Sequence, residues 1–217
     1  MKRIMFKDRY GLTQAVLDGR KTMTRRFVTM TLHKMNGEKM EPVVPDNMFI
    51  KDGIAYFCLG NLAHKVPKEN QPAYKVGEEV AVAQKYKDCW DIYQERWEAK
   101  KDSSDWHTPD AILGDQADKV KGWTNKMFVR ADLMPYRIRI TNIKVERLQD
   151  ISEEDCLREG IKKMEEGMPY RFDEDNGKIH LSADLRMLFA DLIDRISGRG
   201  TWNRNPWVFA YEFELLR

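Results

Sequence analysis

Apolar and polar positions alternate most clearly between Tyr136 and Arg147, where the period is two. The apolar residues fall on even numbers as far as Ile140 and on odd numbers from Ile143. A one-residue slip swaps the faces of a strand, so this change of phase predicts a bulge or sharp bend near Thr141 and Asn142. Trp207 to Leu215 reads as a second long strand, with Trp207, Phe209, Tyr211 and Phe213 on one face. Shorter strands are expected at Arg3-Ile4-Met5-Phe6 and at Glu79 to Ala83, after a turn at Val76-Gly77-Glu78. Lys51-Asp52-Gly53-Ile54 carries the Asp-Gly signal of a tight hairpin, with apolar arms at Met48–Ile50 and Ala55–Leu59.

Helical spacing appears four times. Leu12, Ala15 and Val16 form one face of a first helix, with Asp8 as its expected cap and Gly19 as its stop. Trp90, Ile92, Tyr93 and Trp97 would line one side of another, with Glu95, Glu98 and Lys100 outside. Ser152 and Asp155 match a capping box, behind Ile151, for a short helix running to about Glu159 and Gly160. The strongest helix is expected from Ser182, since Leu185, Leu188, Phe189, Leu192, Ile193 and Ile196 recur at i, i+3, i+4, i+7, i+8 and i+11. Met35–Pro45, Asn61–Pro72 and Met164–Lys178 read as loops or turns, and Lys101–Gly122 as the mobile segment. Strands with interposed helices and no regular βαβ alternation predict an α+β fold around a small barrel, which long bent strands can close.

The chain has 217 residues, enough for one large domain or a small domain with insertions. At 42% hydrophobic and 33% charged it can bury a core, and a net charge of +2 confines any basic surface to a local patch. Cys58, Cys89 and Cys156 are widely spaced and predict free thiols in a reducing cytoplasm. His33, His64, His107 and His180 are equally scattered, so no metal is expected, and no motif asks for a cofactor. No run approaches ~18 apolar residues, so neither export nor a membrane partner is expected.

The densest chemistry lies in Leu17-Asp18-Gly19-Arg20-Lys21-Thr22-Met23-Thr24-Arg25-Arg26. Four cations follow a helix stop without a further carboxylate, which suits an anionic or strongly polar ligand held by Arg20, Arg25 and Arg26. A lysine amine three residues from a threonine hydroxyl is a candidate base and nucleophile. Such a pair shares a face only through a turn, a bulge or a helical start. The bland alternatives are a solvated turn and a structural ion pair. Arg137 and Arg139 can track phosphate or simply form a solvated strand face, and Trp202, between Gly200 and Asn203, is the better candidate for stacking a base than Trp207 or Trp123.

Three blocks together resemble the ASCH domain: Gly19 to Arg26, Val145 to Asp155, and Trp202-Asn203-Arg204-Asn205-Pro206-Trp207-Val208 through Phe213. The likeness is to the ASCH-like proteins of bacterial and prophage genomes. It covers roughly residues 1–28, 74–90 and 127–217 of a single domain, with insertions at about 30–73 and 91–126. The resemblance implies a PUA-like (ASCH) small β-barrel with flanking helices, and RNA or a modified nucleoside as partner. Some small members of the family remove the acetyl group of 4-acetylcytidine with a lysine, a threonine and a glutamate. Position by position these fall on Lys21, Thr24 and Glu159. The resemblance thus implies an amidohydrolase with Thr24 as nucleophile, Lys21 as base and Glu159 moving protons, with backbone amides after Gly19 as oxyanion donors. Those enzymes are about half as long, and many longer relatives keep the lysine and threonine without known activity. The rival is a non-catalytic RNA or nucleic-acid module or prophage adaptor using the same cleft.

Overall fold

The structure, a computed structural model, describes residues 1–30, 32–36, 39–100, 118–165 and 169–216. Most of the expected mobile segment, residues 101–117, lies outside them. The fold is α+β.

Its centre is a sheet of five strands: β1 (Lys2–Ile4), β2 (Met23–Phe27), β8 (Glu79–Val82), β9 (Arg137–Arg147) and β12 (Trp207–Leu216), in the order β1-β8-β9-β12-β2. Only β1 and β8 run parallel. The sheet is an open ladder that ends at β1 and β2, so the closed barrel expected from the long bent strands is not formed among the described residues. The bend itself is present. Glu212 pairs with Asn142 and Phe213 with Ile140, leaving Thr141 without a partner on β12. That extra residue is the bulge the phase change predicts, and it lets β9 keep Ile138 and Ile140 buried before the strand changes face.

Residues 30–73 hold two more sheets, and here two expected loops prove to contain strands. β3 (Leu32–Asn36) pairs with β4 (Lys39–Val43). The Asp-Gly hairpin joins β5 (Asn47–Lys51) to β6 (Ile54–Leu59) through Asp52 and Gly53, both at positive φ as a tight two-residue turn requires. β7 (Leu62–Lys65) adds to the edge of β6. It is exposed throughout, so no alternating apolar face announced it. Likewise, the excursion read as turn-like at Met164–Lys178 contains β10 (Tyr170–Asp173), paired with β11 (Ile179–Ser182).

Five α-helices are present among the described residues: α1 (Leu12–Leu17), α2 (Trp90–Lys100), α3 (Glu153–Arg158), α4 (Leu185–Ser197) and α5 (Thr201–Arg204). α4 buries its apolar stripe at Leu185, Leu188, Phe189, Leu192 and Ile193. Its cap is Asp184, whose carboxylate accepts from the Met187 amide at 2.9 Å, rather than Ser182. Asp8 does not cap α1 either, because the chain first makes a 3-10 turn over Asp8–Tyr10 and enters α1 at Gly11. One core joins the central sheet, α1, α3 and α4 to Met48, Ala55, Phe57 and Val66 of the 30–73 region.

A smaller cluster packs α2 and residues 118–134 against β8. Tyr93 is fully buried there, and its hydroxyl donates to the Leu133 carbonyl at 3.0 Å. Trp90 packs edge-on against Trp123, and the Tyr86 ring fills the space beside Gly122, where a Cβ would sit 2.4 Å from it. The side chains of Trp97 and Lys100 lie outside the described residues.

Candidate functional site

α1 ends where Gly19 takes φ +75°, the left-handed conformation glycine adopts without a side-chain clash. The chain then doubles back, the Lys21 amide donating to the Ala15 carbonyl at 2.8 Å and the Thr22 amide to the Arg158 carbonyl at 2.9 Å. Those two amides are therefore spent, which removes them as the oxyanion donors expected after Gly19. The turn delivers Lys21 inward just before β2 begins. On the other side, Ser152 Oγ accepts from the Asp155 amide at 3.1 Å and starts α3, whose end carries Glu159 before Gly160 at φ +109°.

Lys21 and Glu159 meet in the interior. Lys21 Nζ lies 2.5 Å from Glu159 Oε2 and also donates to the Glu159 carbonyl at 2.7 Å, so the amine caps the C-terminus of α3 while pairing with its last side chain. Both residues are buried. Burial pushes the Lys21 ammonium below the ordinary lysine range, against the attraction of Glu159.

Arg25 extends the cluster. Its guanidinium contacts Glu159 Oε1 at 3.1 Å, Asp155 Oδ2 at 2.8 Å and Glu146 Oε1 at 2.6 Å. Lys144 joins Asp155 at 2.9 Å, and Arg158 bridges Asp155 at 3.4 Å and Glu212 at 2.8 Å. The register explains the meeting. Ala210 on β12 stands between Arg25 on β2 and Lys144 on β9, and its single methyl leaves room for long side chains to converge above it. Asp155 thus turns to Arg25 and Lys144 instead of completing the capping box. Lys21, Arg25, Lys144 and Arg158 face Glu146, Asp155, Glu159 and Glu212, so the network is balanced, as buried charges must be.

A cavity of about 590 Å³ opens beside this network, within the range of small-molecule sites. Lys21, Thr24, Arg25, Arg26 and Glu159 all border it. β2 is the edge strand, and residues of both its faces reach the space. Thr24 is 5% exposed, and its hydroxyl has no side-chain hydrogen bond among the described residues. Phe6, Leu12 and Ile193 supply apolar wall. The opposing rim is Thr124 to Met127, tied down by Lys126 Nζ, which donates to the Phe6 carbonyl at 2.5 Å and to Asp8 Oδ1 at 2.6 Å. That wall was invisible in the sequence, where the segment fell at the end of the 91–126 insertion and was assigned no part in the site.

The remaining candidates lie elsewhere. Arg20 pairs with Asp18 at 3.2 Å and reaches the Gly160 carbonyl at 3.3 Å. Arg139 is held between Glu79 at 3.0 Å and Glu214 at 3.2 Å, and neither it nor Arg137 borders the cavity. Trp202 packs edge-on against Phe189, with the Arg186 guanidinium 6.0 Å from its ring centre, at the margin of the core and away from the cavity lining. Trp207, half-buried, is covered by Arg147 at 4.4 Å.

Among the described residues no group of three or more His, Cys, Asp or Glu side chains could hold a metal ion, and no helix is long and apolar enough to cross a membrane. Cys58, Cys89 and Cys156 form no disulfide among the described residues, and burial pushes the Cys156 thiol up to about 12, which keeps it protonated and unreactive. Comparisons of the chain with protein-family models, curated proteins and solved structures give no match.

Proposed function

We propose that this chain is an ASCH-type, PUA-like protein of the cytoplasm that binds RNA or a modified nucleoside in the cavity beside β2, and that it hydrolyses the amide of 4-acetylcytidine there. The observation that carries this reading is the 2.5 Å contact of Lys21 with Glu159 on a cavity that Thr24 also borders. Lys21 and Thr24, three residues apart, and Glu159, far along the chain, border one hollow. The five-stranded sheet and the helices around it would correspond to the family's common part, with residues 30–73 and 91–126 as additions.

In this scheme Thr24 Oγ attacks the acetyl carbon while its proton passes to the Lys21 amine, which burial has made easier to deprotonate. The tetrahedral intermediate collapses with cleavage of the carbon–nitrogen bond. The exocyclic nitrogen takes a proton relayed through Lys21 and Glu159, and cytidine leaves. A water molecule then cleaves the acetyl–threonine ester, giving acetate and restoring the hydroxyl. Arg25 keeps the Glu159 carboxylate oriented toward Lys21 from its other oxygen.

Incubation with 4-acetylcytidine, followed by chromatography for cytidine, tests the scheme. Turnover by the wild type that Thr24→Ala and Lys21→Met each reduce by at least about 100-fold would support it. No turnover by wild type, with RNA binding that survives Thr24→Ala, would establish the non-catalytic nucleic-acid module instead.

A further inference from the structure

Six cations border the cavity, Lys7, Lys21, Arg25, Arg26, Lys85 and Lys126, against only two carboxylates, Asp8 and Glu159. Three of the six are matched. Lys21 is paired with Glu159, Arg25 with Glu146, Asp155 and Glu159, and Lys126 with Asp8 at 2.6 Å. The other three are matched less or not at all. Among the described residues Lys7 and Arg26 form no ion pair, and Lys85 has one long contact, with Asp88 at 3.8 Å.

These three are also the more accessible ones. Lys7 and Arg26 are exposed and Lys85 is half-buried, whereas Lys21 and Arg25 lie deep. The cavity therefore has a neutralised interior and a cationic mouth. Arg26 is fixed there, donating to the Met5 carbonyl at 2.6 Å with its guanidinium 6.0 Å from the Phe6 ring centre. Met5, Phe27 and Met127 stand between the cations as exposed apolar rim. Like charges that border one opening repel one another unless an anion joins them, and the oxygens of a phosphate ester accept from several such donors at once.

We propose that Lys7, Arg26 and Lys85 form a phosphate subsite at the mouth, so that the natural ligand is a phosphate ester, a nucleotide or an RNA segment, and not a free nucleoside. The proposal rests on the preceding reading only in placing the nucleoside in the same cavity. The apolar rim would cover the sugar or a neighbouring base, while the deep end receives the reacting base.

The test is equilibrium titration of the full chain with cytidine, cytidine 5′-monophosphate and a short cytidine-centred RNA, by calorimetry at about 50 mM and about 200 mM salt. The monophosphate should bind about tenfold or more tightly than cytidine, a preference that weakens at the higher salt. Lys7→Ala with Lys85→Ala, and separately Arg26→Gln, should bring the ratio toward one. The lysine pair lies at the surface, so that variant keeps the fold if Arg26→Gln does not. RNA binding tighter than the monophosphate identifies a polymer as the source of the phosphate, and equal binding identifies a free nucleotide. Equal affinity for cytidine and its monophosphate, or no binding of any probe, overturns the proposal. Turnover of 4-acetylcytidine without phosphate preference sinks this subsite alone. Phosphate preference without turnover sinks the hydrolysis alone.

Discussion

Arg25 shows how one side chain can hold a site without being its reacting group. Three carboxylates converge on it, and although Lys21, Lys144 and Arg158 also reach them, no other cation among the described residues contacts all three. Removing one partner of a buried ionic cluster leaves the others uncompensated, so Arg25→Ala should cost about 3–5 kcal/mol, measured by urea denaturation. Arg25→Lys should recover little of that loss, because a point charge cannot make the forked contacts with Glu146, Asp155 and Glu159 together. Gln84 is the opposite case. Its Oε1 is buried without a partner among the described residues, and such an orphan costs about 1–3 kcal/mol. Gln84→Leu should therefore raise stability by about 1 kcal/mol, seen as a higher melting temperature. An unchanged or lower value would mean that the amide is satisfied in solution. Neither residue's role was legible in its neighbours along the chain. The alternation of Lys144 and Glu146 on β9 put two charges on one face, but only the cross-strand register, through Ala210, shows what they meet.

At the scale of elements, local signals were read well and pairing partners poorly. The Asp-Gly hairpin, the α4 stripe and the phase change at Thr141 each depend on a few consecutive residues, and each appears in the structure. β2, β3, β4, β7, β10 and β11 were missed because short or edge strands need no continuous apolar face. The approach of α1 to the end of α3 was equally unreadable, since no periodicity records which elements touch. Gly160 is where that approach is tightest. It has φ +109°, and a Cβ there would lie 3.3 Å from Leu12 Cδ2, 3.4 Å from Ala15 Cβ and 3.5 Å from Lys21 Cβ. Gly160→Ala should destabilise by more than about 1 kcal/mol, through backbone strain and by pushing α1 away. Since Leu12, the neighbour that would have to give, also lines the cavity, ligand binding should weaken together with stability. A loss of stability with unaltered binding would show that the Lys21–Glu159 contact does not depend on this packing.

Across the whole molecule, the charge network couples the site to pH. For Asp155, burial alone would raise the pKa, but hydrogen bonds from Lys144 and Arg25 outweigh it and hold the carboxyl below its ordinary value. Glu212 is lowered chiefly by its bond from Arg158. A carboxylate whose folded pKa lies below its unfolded one binds fewer protons in the native state. Its contribution to stability is complete above the unfolded value, near 3.8 for Asp155 and 4.5 for Glu212, and is lost as pH falls through the folded value. Lys21 works at the other end. Its folded pKa is lowered, so between that value and 10.5 the unfolded chain binds more protons, and this group makes stability rise with pH. The two effects can be separated. Asp155→Asn should lose stability at pH 7 and show a shallower decline than wild type from pH 4 downward, in urea denaturation at stepped pH. Lys21→Met should leave that acid decline in place while removing the rise on the alkaline side. If both variants follow the wild-type curve at a constant offset, neither group titrates differently in the folded chain, and the lowered Lys21 pKa on which the proton transfer depends does not hold.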